Sequence, residues 1–373
     1  MSSNRSKKLM RWIFSKADIE INGERPWDII VRNENFYPRV LRHGSLGLGE
    51  SYMDGWWDAE RVDEFITRTL RSDLEEYVKP LLRSLLQVLS CILVNPQRKS
   101  KAFEIGERHY DAGNDLYQAM LDKRMVYSGG YWRNAKDLDE AQEMKLELVC
   151  KKLGLQERMK ILDIGCGWGS FAKYAAEKYG VSVTGVTVSR EQVELGRNLC
   201  SGLPVEIRLQ DYRETEGVYD RIVSIGMFEH VGQKNYSTYM KVVDRHLRED
   251  GLFLLQTIGR NTSLKTSDPW SEKYIFPNSM IPSIKQIGYA IENLFVMEDW
   301  HNFSADYDKT LMSWYKNFET HWDTLKERYS ERFYRMWKYY LLSSAGSFRA
   351  RTLQDWQIVF SKKGIPGGYV SIR

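Results

Sequence analysis

Three glycines separated by single residues follow an acidic residue in the stretch ILDIGCGWGSF, which contains Asp163, Gly165, Gly167 and Gly169. The apolar residues before this turn predict a strand, and the residues after it predict a helix. Glycine has no Cβ atom, so such a turn lets a ligand approach the backbone above the helix N-terminus. A glycine-rich turn that binds nothing is the simpler alternative.

The position of the acid distinguishes two kinds of ligand. A dinucleotide-binding turn has the spacing G-x-G-x-x-G and an acid at the end of the second strand. At that second position this chain has Thr187 and Ser189, in the motif GVTVSREQ that ends in Gln192. Here the acid precedes the first glycine, and the spacing is G-x-G-x-G. This arrangement resembles the S-adenosylmethionine site of class I methyltransferases, whose sulfonium ligand needs no phosphate cradle.

The third predicted strand ends in QDYRE, which contains Gln210, Asp211 and Tyr212. In open α/β folds, ligands bind at the edge where the carboxyl ends of the parallel strands meet. An acid at that edge can accept a hydrogen bond from an adenine amino group, and an aromatic ring can stack on the base. We therefore predict that these three residues belong to the cofactor site.

The fourth and fifth predicted strands end in MFEHVG and LLQTIG, which bring Glu229, His230, Gln256 and Ile258 to the same edge. Glu229 stands among apolar residues, where a carboxylate is costly unless it has a partner or a role. The alternative is a helix N-terminal acid that the helix dipole stabilises. We predict a catalytic role for Glu229 and a structural role for His230.

These motifs need a sheet to position them. From about Leu153, helix-length stretches separate five apolar runs: MKILDIG, VSVTGVTV, PVEIRLQ, DRIVSIG and GLFLLQTIG. This alternation predicts an α/β fold in which a parallel sheet has helices on both faces. The residues before about position 100 show mainly helical patterns. We predict a helical domain that associates with lipid or membrane at 1–95, a basic linker at 96–104 and a catalytic domain at 105–373.

Composition argues against several other classes of protein. The 373 residues are 42% hydrophobic with a net charge of +4, which fits a globular protein and gives no argument for nucleic acid as a partner. The four cysteines form no CxxC pair, so neither a metal site nor a disulfide framework is predicted. The longest apolar stretch, 81–94, contains Arg83 and is too short to span a bilayer. We expect a cytoplasmic protein.

The uneven placement of basic residues points to a membrane surface. Arg98, Lys99 and Lys101 directly follow the apolar stretch 81–94. An apolar helix face beside a basic stretch is what peripheral binding to anionic lipid requires. The alternative is a core helix followed by a solvated linker. We predict peripheral contact with the inner face of the cell membrane.

Seven motifs occur in the order typical of one family: GSLGLGESYMDGWW, HYDAGNDLY, LDIGCGWG, GVTVSREQ, MFEHVG, DPWSEKYIFPN and MEDWHNFSADYD. Together they resemble the cyclopropane fatty acid synthase family, and the extended first part resembles its bacterial phospholipid-acting members. The resemblance implies a seven-stranded class I methyltransferase domain, a small helical N-terminal domain and a homodimer. It also implies the reaction, in which the methyl group of S-adenosylmethionine is transferred to a cis double bond of a membrane lipid acyl chain. Loss of a proton then closes a cyclopropane ring.

The resemblance further implies site residues. In the family a bicarbonate ion is held by an acid, a tyrosine and a backbone group, which fall on Glu229, Tyr307 and Ile258. The family's cysteine and histidine ligands fall on Gly129 and Gln256, so we predict bicarbonate at an altered site.

The paired glycines in MVYSGGYW follow two residues that match cofactor-lining positions of the family, Tyr127 and Ser128. We expect Gly129 and Gly130 to widen the methyl-transfer pocket. Another family cysteine falls on Ser344, so no covalent cysteine mechanism is expected.

Two rival functions stay open, the first of them because the altered ion site is where the proton leaves. One is a methyltransferase of the same fold that uses another substrate or gives a methylated or methylene product. The other is a non-catalytic lipid-binding homologue. The complete cofactor motif, with Glu229 and Tyr307, argues against the second.

Overall fold

The computed structural model describes residues 3–72 and 113–373, which form two compact units. The helical unit comprises 3–72, Lys265–Pro277 and Asp308–Leu353, and the sheet unit comprises 113–264, Asn278–Tyr307 and Gln354–Arg373. Two segments of the predicted domain 105–373 thus pack with the N-terminal residues, because packing need not follow chain order. The predicted linker 96–104 lies outside the described residues, and the predicted division into domains stays a prediction.

Helices and strands alternate through most of the sheet unit. The α-helices of the described residues are α1 (Ser3–Ser15), α2 (Phe36–Met53), α3 (Val62–Arg71), α4 (Asn114–Met120), α5 (Leu138–Lys152), α6 (Ser170–Tyr179), α7 (Arg190–Leu199), α8 (Tyr236–His246), α9 (Pro269–Tyr274), α10 (Ile284–Ile291), α11 (Ser304–Leu325) and α12 (Glu331–Arg349). The strands are β1 (Ile30–Val31), β2 (Trp57–Asp58), β3 (Lys160–Ile164), β4 (Ser182–Thr187), β5 (Val205–Leu209), β6 (Tyr219–Ile225), β7 (Leu247–Gly259), β8 (Val296–Asn302) and β9 (Gln354–Ser361). Short 3-10 helices lie at Tyr212–Glu214, Phe228–His230 and Gln233–Asn235.

Aromatic side chains fill the core of the helical unit. Trp57 packs against Phe65 of α3 with ring centroids 5.1 Å apart, and against Tyr339 of α12 at 6.3 Å. Trp270 of α9 approaches Tyr339 to 4.7 Å. A Cβ atom at Gly49 of α2 would overlap the Trp270 ring, so a glycine is needed where the helix and the indole meet. These contacts explain why two segments distant in the chain join the N-terminal residues.

The sheet unit contains a seven-stranded sheet with the strand order β5-β4-β3-β6-β7-β9-β8. Strands β3 to β7 run parallel to their neighbours within that group. Strand β9 pairs antiparallel with both β7 and β8. The five strands predicted from the apolar runs are β3 to β7, and the predicted α/β class with seven strands is confirmed. The last two strands make the sheet mixed.

Helices cover both faces of the sheet. In β3, Leu162 and Ile164 belong to a core that includes residues of α8 and α10, whereas Ile161 belongs to a core with residues of α5 and α6. The difference arises because successive side chains of a strand point to opposite faces. Burying one large aliphatic side chain contributes about 1.5–3 kcal/mol. Strand β3 is therefore anchored from both sides just before the glycine-rich turn.

Gly259, at the end of β7, determines how β9 packs. Trp356 of β9 is buried, and its ring lies edge-on to Trp300 of β8 with centroids 4.9 Å apart. A Cβ atom at Gly259 would overlap the ring of Trp356. The glycine thus allows the indole of Trp356 to lie directly over β7.

We expect Gly259→Ala to destabilise the protein by roughly 1–3 kcal/mol, because the added methyl group would displace a buried ring. Gly288→Ala in α10 is the matched control, because no described atom apart from the adjoining residues and the helix's own backbone lies within 4 Å of the added methyl group. Alanine also favours a helix over glycine by up to about 1 kcal/mol. Urea unfolding of both variants measures the difference, and equal stabilities would contradict the proposed packing.

Candidate active site

The turn between β3 and α6 opens onto a cavity at the carboxyl edge of the parallel strands. Gly165, Gly167 and Gly169 have φ angles of +82°, +56° and +82°. A Cβ atom at Gly167 would face open space, with no atom of the described chain within 4 Å, and one at Gly165 would overlap Met227. The left-handed backbone and the adjoining space together explain the glycines.

The cavity brings together most of the predicted cofactor residues. Its lining includes Tyr127, Ser128, Asp163, Gly165, Gly167, Thr187, Gln192, Gln210 and Tyr212. Three predicted residues lie beside the cavity and shape the elements around it. Gly169 precedes α6, Ser189 Oγ accepts a hydrogen bond from the Gln192 N–H at 3.4 Å, and the Asp211 carboxylate accepts one from Arg213 Nε at 2.8 Å. The contact predicted between Asp211 and adenine stays a prediction.

Asp163 supplies a buried carboxyl group to the cavity. Its Oδ2 atom has no hydrogen-bond partner among the residues that the structure describes. Burial raises the pKa of Asp163 to about 7, and the positive charge of Lys145 partly opposes this rise. A nearby cation stabilises the ionised form of a buried acid. The site therefore fits a positively charged ligand such as S-adenosylmethionine.

Lys145 of α5 is a lining residue that sequence reasoning missed. Its side chain is buried, and Nζ donates a hydrogen bond to Ser128 Oγ at 2.9 Å. Burial lowers the pKa of Lys145 to about 8, while the carboxyl groups of Asp122, Asp355 and Asp163 raise it. In the sequence this lysine belongs to the helical run LDEAQEMKLELVCKK, where it is expected on a solvated face. No local signal therefore indicated its role.

Glu229 lies beyond the end of β6, next to the cavity residues Met227 and His230. Its Oε1 atom accepts a hydrogen bond from the Ile258 N–H at 2.5 Å, and its buried Oε2 atom has no partner within the described ranges. Burial raises the pKa of Glu229 to about 7 and lowers that of His230 to about 4. The carboxyl group can therefore exchange a proton near neutral pH, while the imidazole is neutral.

Gln256 of β7 links the remaining predicted catalytic residues. Its Nε2 atom donates hydrogen bonds to Asp355 Oδ2 at 3.0 Å and to the Gly129 carbonyl oxygen at 3.3 Å. A Cβ atom at Gly129 would lie 3.1 Å from Cδ1 of Tyr307. Ile258, which binds Glu229, follows Gln256 by two residues on the same strand. Hydrogen bonds to the end of β7 thus hold Gly129 and Glu229, and the ring of Tyr307 lies beside Gly129.

The expectation that Gly129 and Gly130 widen the pocket is wrong. A Cβ atom at Gly129 would overlap the carboxyl group of Asp355, and one at Gly130 would lie 3.2 Å from the Cβ atom of Ala141. Both glycines thus permit close packing instead of creating an opening. Asp355 itself was missed because it lies 99 residues from Gln256 in the chain, in a strand that carries no motif.

Metal clusters and membrane-crossing helices do not occur in ranges 3–72 and 113–373. No group of three or more His, Cys, Asp or Glu residues there is arranged to hold a metal ion. No helix in those ranges combines the length and apolar character that a membrane crossing requires. The stretch 81–94 and the residues Arg98, Lys99 and Lys101 lie outside the described residues.

The sheet order, the glycine-rich turn and the acid on β3 define an S-adenosylmethionine-dependent methyltransferase fold of class I. The family follows from comparison with known proteins. The family model described as mycolic acid cyclopropane synthetase matches residues 97–358. The chain belongs to this family, and the predicted fold class and family are confirmed.

Individual relatives extend this similarity to nearly the whole chain. The cyclopropane-fatty-acyl-phospholipid synthase of Escherichia coli (strain K12) is 52% identical over 356 residues, which cover 95% of this chain and 93% of that protein. The probable fatty acid methyltransferase of Pseudomonas putida is 35% identical over 377 residues, with coverages of 95% and 91%. The crystal structure of mycolic acid cyclopropane synthase CmaA1 complexed with SAH and CTAB has a TM-score of 0.65 and 31% identity, covering 70% of this chain and 98% of that chain. The prediction of an S-adenosylmethionine-dependent methyltransferase is confirmed.

We expect Gly167→Leu to weaken S-adenosylmethionine binding by roughly 100-fold, equivalent to about 2.7 kcal/mol, because the side chain would fill the cavity. Gly202→Leu is the matched control for backbone strain. Its φ of +80° is also left-handed and no described atom lies within 4 Å of its Cβ position, but it lies outside the cavity lining. Calorimetry measures both affinities, and an unchanged affinity for Gly167→Leu would refute the assignment of the turn.

Proposed function

We propose that the protein transfers the methyl carbon of S-adenosylmethionine to a cis double bond of an unsaturated acyl chain in a membrane phospholipid and closes it to a cyclopropane ring. The observation that carries this proposal is the 52% identity, across 95% of the chain, to an enzyme whose name states that product. The glycine-rich turn, the carboxyl group of Asp163 and the buried carboxyl group of Glu229 support the same chemistry.

In this proposal the cavity of the sheet unit holds the cofactor. The turn at Gly165 and Gly167 leaves room for the ligand, and the carboxyl group of Asp163 supplies negative charge. The other lining residues that we assign to cofactor binding are Tyr127, Ser128, Thr187, Gln192, Gln210 and Tyr212. Gly169, Ser189 and Asp211 contribute by shaping α6, α7 and the turn at Tyr212.

The chemistry of the double bond explains what the rest of the site must do. An alkene is a weak nucleophile, so alignment with the methyl carbon must supply much of the rate acceleration. Attack breaks the C–S bond, whose electron pair stays on sulfur, and leaves a carbocation that must lose a proton to form the ring. We propose that this proton leaves at the cluster of Glu229, Tyr307, Gln256, Ile258 and Gly129. Bicarbonate is the acceptor that the family resemblance implies.

A methyltransferase that gives a methylated or methylene product is the second candidate. It is favoured by the 35% identity to the probable fatty acid methyltransferase of P. putida. Gly129 and Gln256 replace the cysteine and histidine of the family, and they lie in the cluster where we propose that the carbocation loses its proton. Loss of a proton from a neighbouring carbon would leave a double bond instead of a ring.

We further propose a homodimer that contacts the inner face of the cell membrane from the cytoplasm. Helix α1 supports the membrane contact, because Lys8, Arg11 and Trp12 are exposed, the last at 46%, while Met10 and Phe14 are buried. Cations beside an exposed indole suit an anionic lipid surface. The dimer follows from the family resemblance.

The purified protein is expected to transfer label from methyl-labelled S-adenosylmethionine to liposomes with unsaturated chains.

Glu229→Gln should slow this turnover by roughly 10² to 10⁴ without changing cofactor affinity, because it removes a group positioned for proton transfer. Glu216→Gln changes an exposed acid and should leave turnover at the wild-type level. Lipid without label would argue for a non-catalytic homologue. NMR of the product distinguishes a ring from a methylated or methylene chain.

Vesicles with anionic lipid are expected to bind the protein more tightly than neutral vesicles, and added salt should weaken the binding. Replacing Arg98, Lys99 and Lys101 by glutamine should reduce the affinity for anionic vesicles by about 1 kcal/mol for each charge near the surface. Binding to neutral vesicles is the control and should not change. Co-sedimentation at two salt concentrations measures these effects, and equal partition to both vesicle types would contradict the membrane proposal.

A further inference from the structure

The carboxyl group of Asp355 is buried beside the proposed site of proton loss. Asp355 is the second residue of β9, and it pairs across the sheet with Ile258, whose N–H binds Glu229. Asp355 is 1% exposed, and its Oδ2 atom accepts a hydrogen bond from Gln256 Nε2 at 3.0 Å. A carboxylate in such surroundings is costly unless it has a partner or a role.

Asp355 occupies the space that a side chain at position 129 would need. A Cβ atom on Gly129 would overlap Asp355 Oδ2 and would lie 3.1 Å from the ring of Tyr307. Gln256 Nε2 binds both the Asp355 carboxyl group and the Gly129 carbonyl oxygen. A side chain at position 129 would therefore displace the carboxyl group of Asp355 and disturb the hydrogen bonds of Gln256.

A bicarbonate ion does not fit this arrangement. The Nε2 atom of Gln256, which the ion would need as a donor, already binds Asp355 and Gly129. The space beside Gly129 holds a carboxyl group of the chain itself. An added anion would also stand near the carboxyl group of Asp355, and like charges buried together disfavour ionisation. We therefore assign no step to bicarbonate.

We propose that Asp355 is a catalytic residue whose carboxylate takes the place of a bound anion as the proton acceptor in ring closure. The inference rests on the proposed function and deepens it. A C–H bond of the transferred carbon breaks, and its electron pair closes the second new C–C bond of the ring. The proton passes to Asp355 and leaves to water after the products dissociate.

The surroundings of Asp355 suit a proton acceptor. Burial raises the pKa of Asp355 well above its usual range, and the charges of Glu229 and Asp306 raise it further, while the Gln256 hydrogen bond and Lys145 lower it. A raised pKa means that the carboxylate holds a proton more tightly. The positive charge of Lys145 favours the ionised form, which is the form that accepts a proton.

Removal of bicarbonate is the first test. Wild-type turnover on unsaturated liposomes, in sealed buffer purged of carbon dioxide, is expected to equal turnover with added bicarbonate. A rate that falls on removal and returns on readdition would overturn the inference, because the chain would then need the external anion.

Chemical rescue is the second test. Asp355→Asn and Asp355→Ala should each slow turnover by roughly 10² to 10⁴, with cofactor affinity unchanged. Formate should restore part of the rate of Asp355→Ala, which leaves room for a small carboxylate, and should not restore that of Asp355→Asn. A purely structural role of Asp355 predicts no rescue by formate in either variant.

A buried acid on the neighbouring strand provides the control. Asp299 of β8 accepts hydrogen bonds from Ser371 and Arg373, and its side chain is buried. Asp299→Ala should lower stability, and any loss of turnover should not respond to formate. A similar response in Asp299→Ala would show that the rescue is not specific to Asp355.

The outcomes separate failure of this inference from failure of the proposed function. If the wild type transfers no label to lipid, the proposed function fails and the inference fails with it. If the wild type transfers label while folded Asp355→Asn keeps full turnover, the function stands and the role of Asp355 is overturned. If Asp355→Ala does not fold, the isosteric variant Asp355→Asn and the bicarbonate test on the wild type still show whether Asp355 is the proton acceptor.

Discussion

The antiparallel register between β7 and β9 is the constraint on which the proton-transfer cluster depends. Gln256 pairs with Gln357, and Ile258 pairs with Asp355. Side chains alternate along a strand, so a slip of one residue would turn each of them to the opposite face. In the observed register Gln357 Nε2 donates to Gln256 Oε1 at 3.1 Å, which leaves Gln256 Nε2 to bind Asp355. In the same register the ring of Trp356 packs over Gly259 of β7.

The sheet unit places several ionisable groups where burial disfavours their charge. Burial raises the pKa values of Asp163, Glu229 and Asp355, and the buried cation Lys145 acts on the first and the last of them. Such clusters lower the stability of the free protein, and they are typical of functional sites. A cationic cofactor would compensate for the buried negative charge. This agrees with the cavity, where the carboxyl group of Asp163 lies beside the glycine-rich turn that binds phosphate in other nucleotide sites.

Local sequence patterns were sufficient to predict the parallel part of the sheet and several residues at its carboxyl edge. An apolar run, a glycine spacing and an acid after a strand are all encoded within a few residues. The strands β3 to β7, the turn at Gly167 and the positions of Asp163 and Glu229 could therefore be predicted. The same patterns did not indicate that Lys145 is buried, because a lysine in a polar helix is expected to face water.

The sequence by itself determined the fold class, the family and several of the residues that line the cavity at the carboxyl edge, because these follow from short motifs in a fixed order. Tertiary structure alone decided what surrounds Gly129. The sequence suggested empty space there, but the carboxyl group of Asp355 lies in that space, held by Gln256 at 3.0 Å although the two residues are 99 positions apart. No local pattern encodes such a contact, because it depends on the pairing of two distant strands and on the volume that their side chains leave.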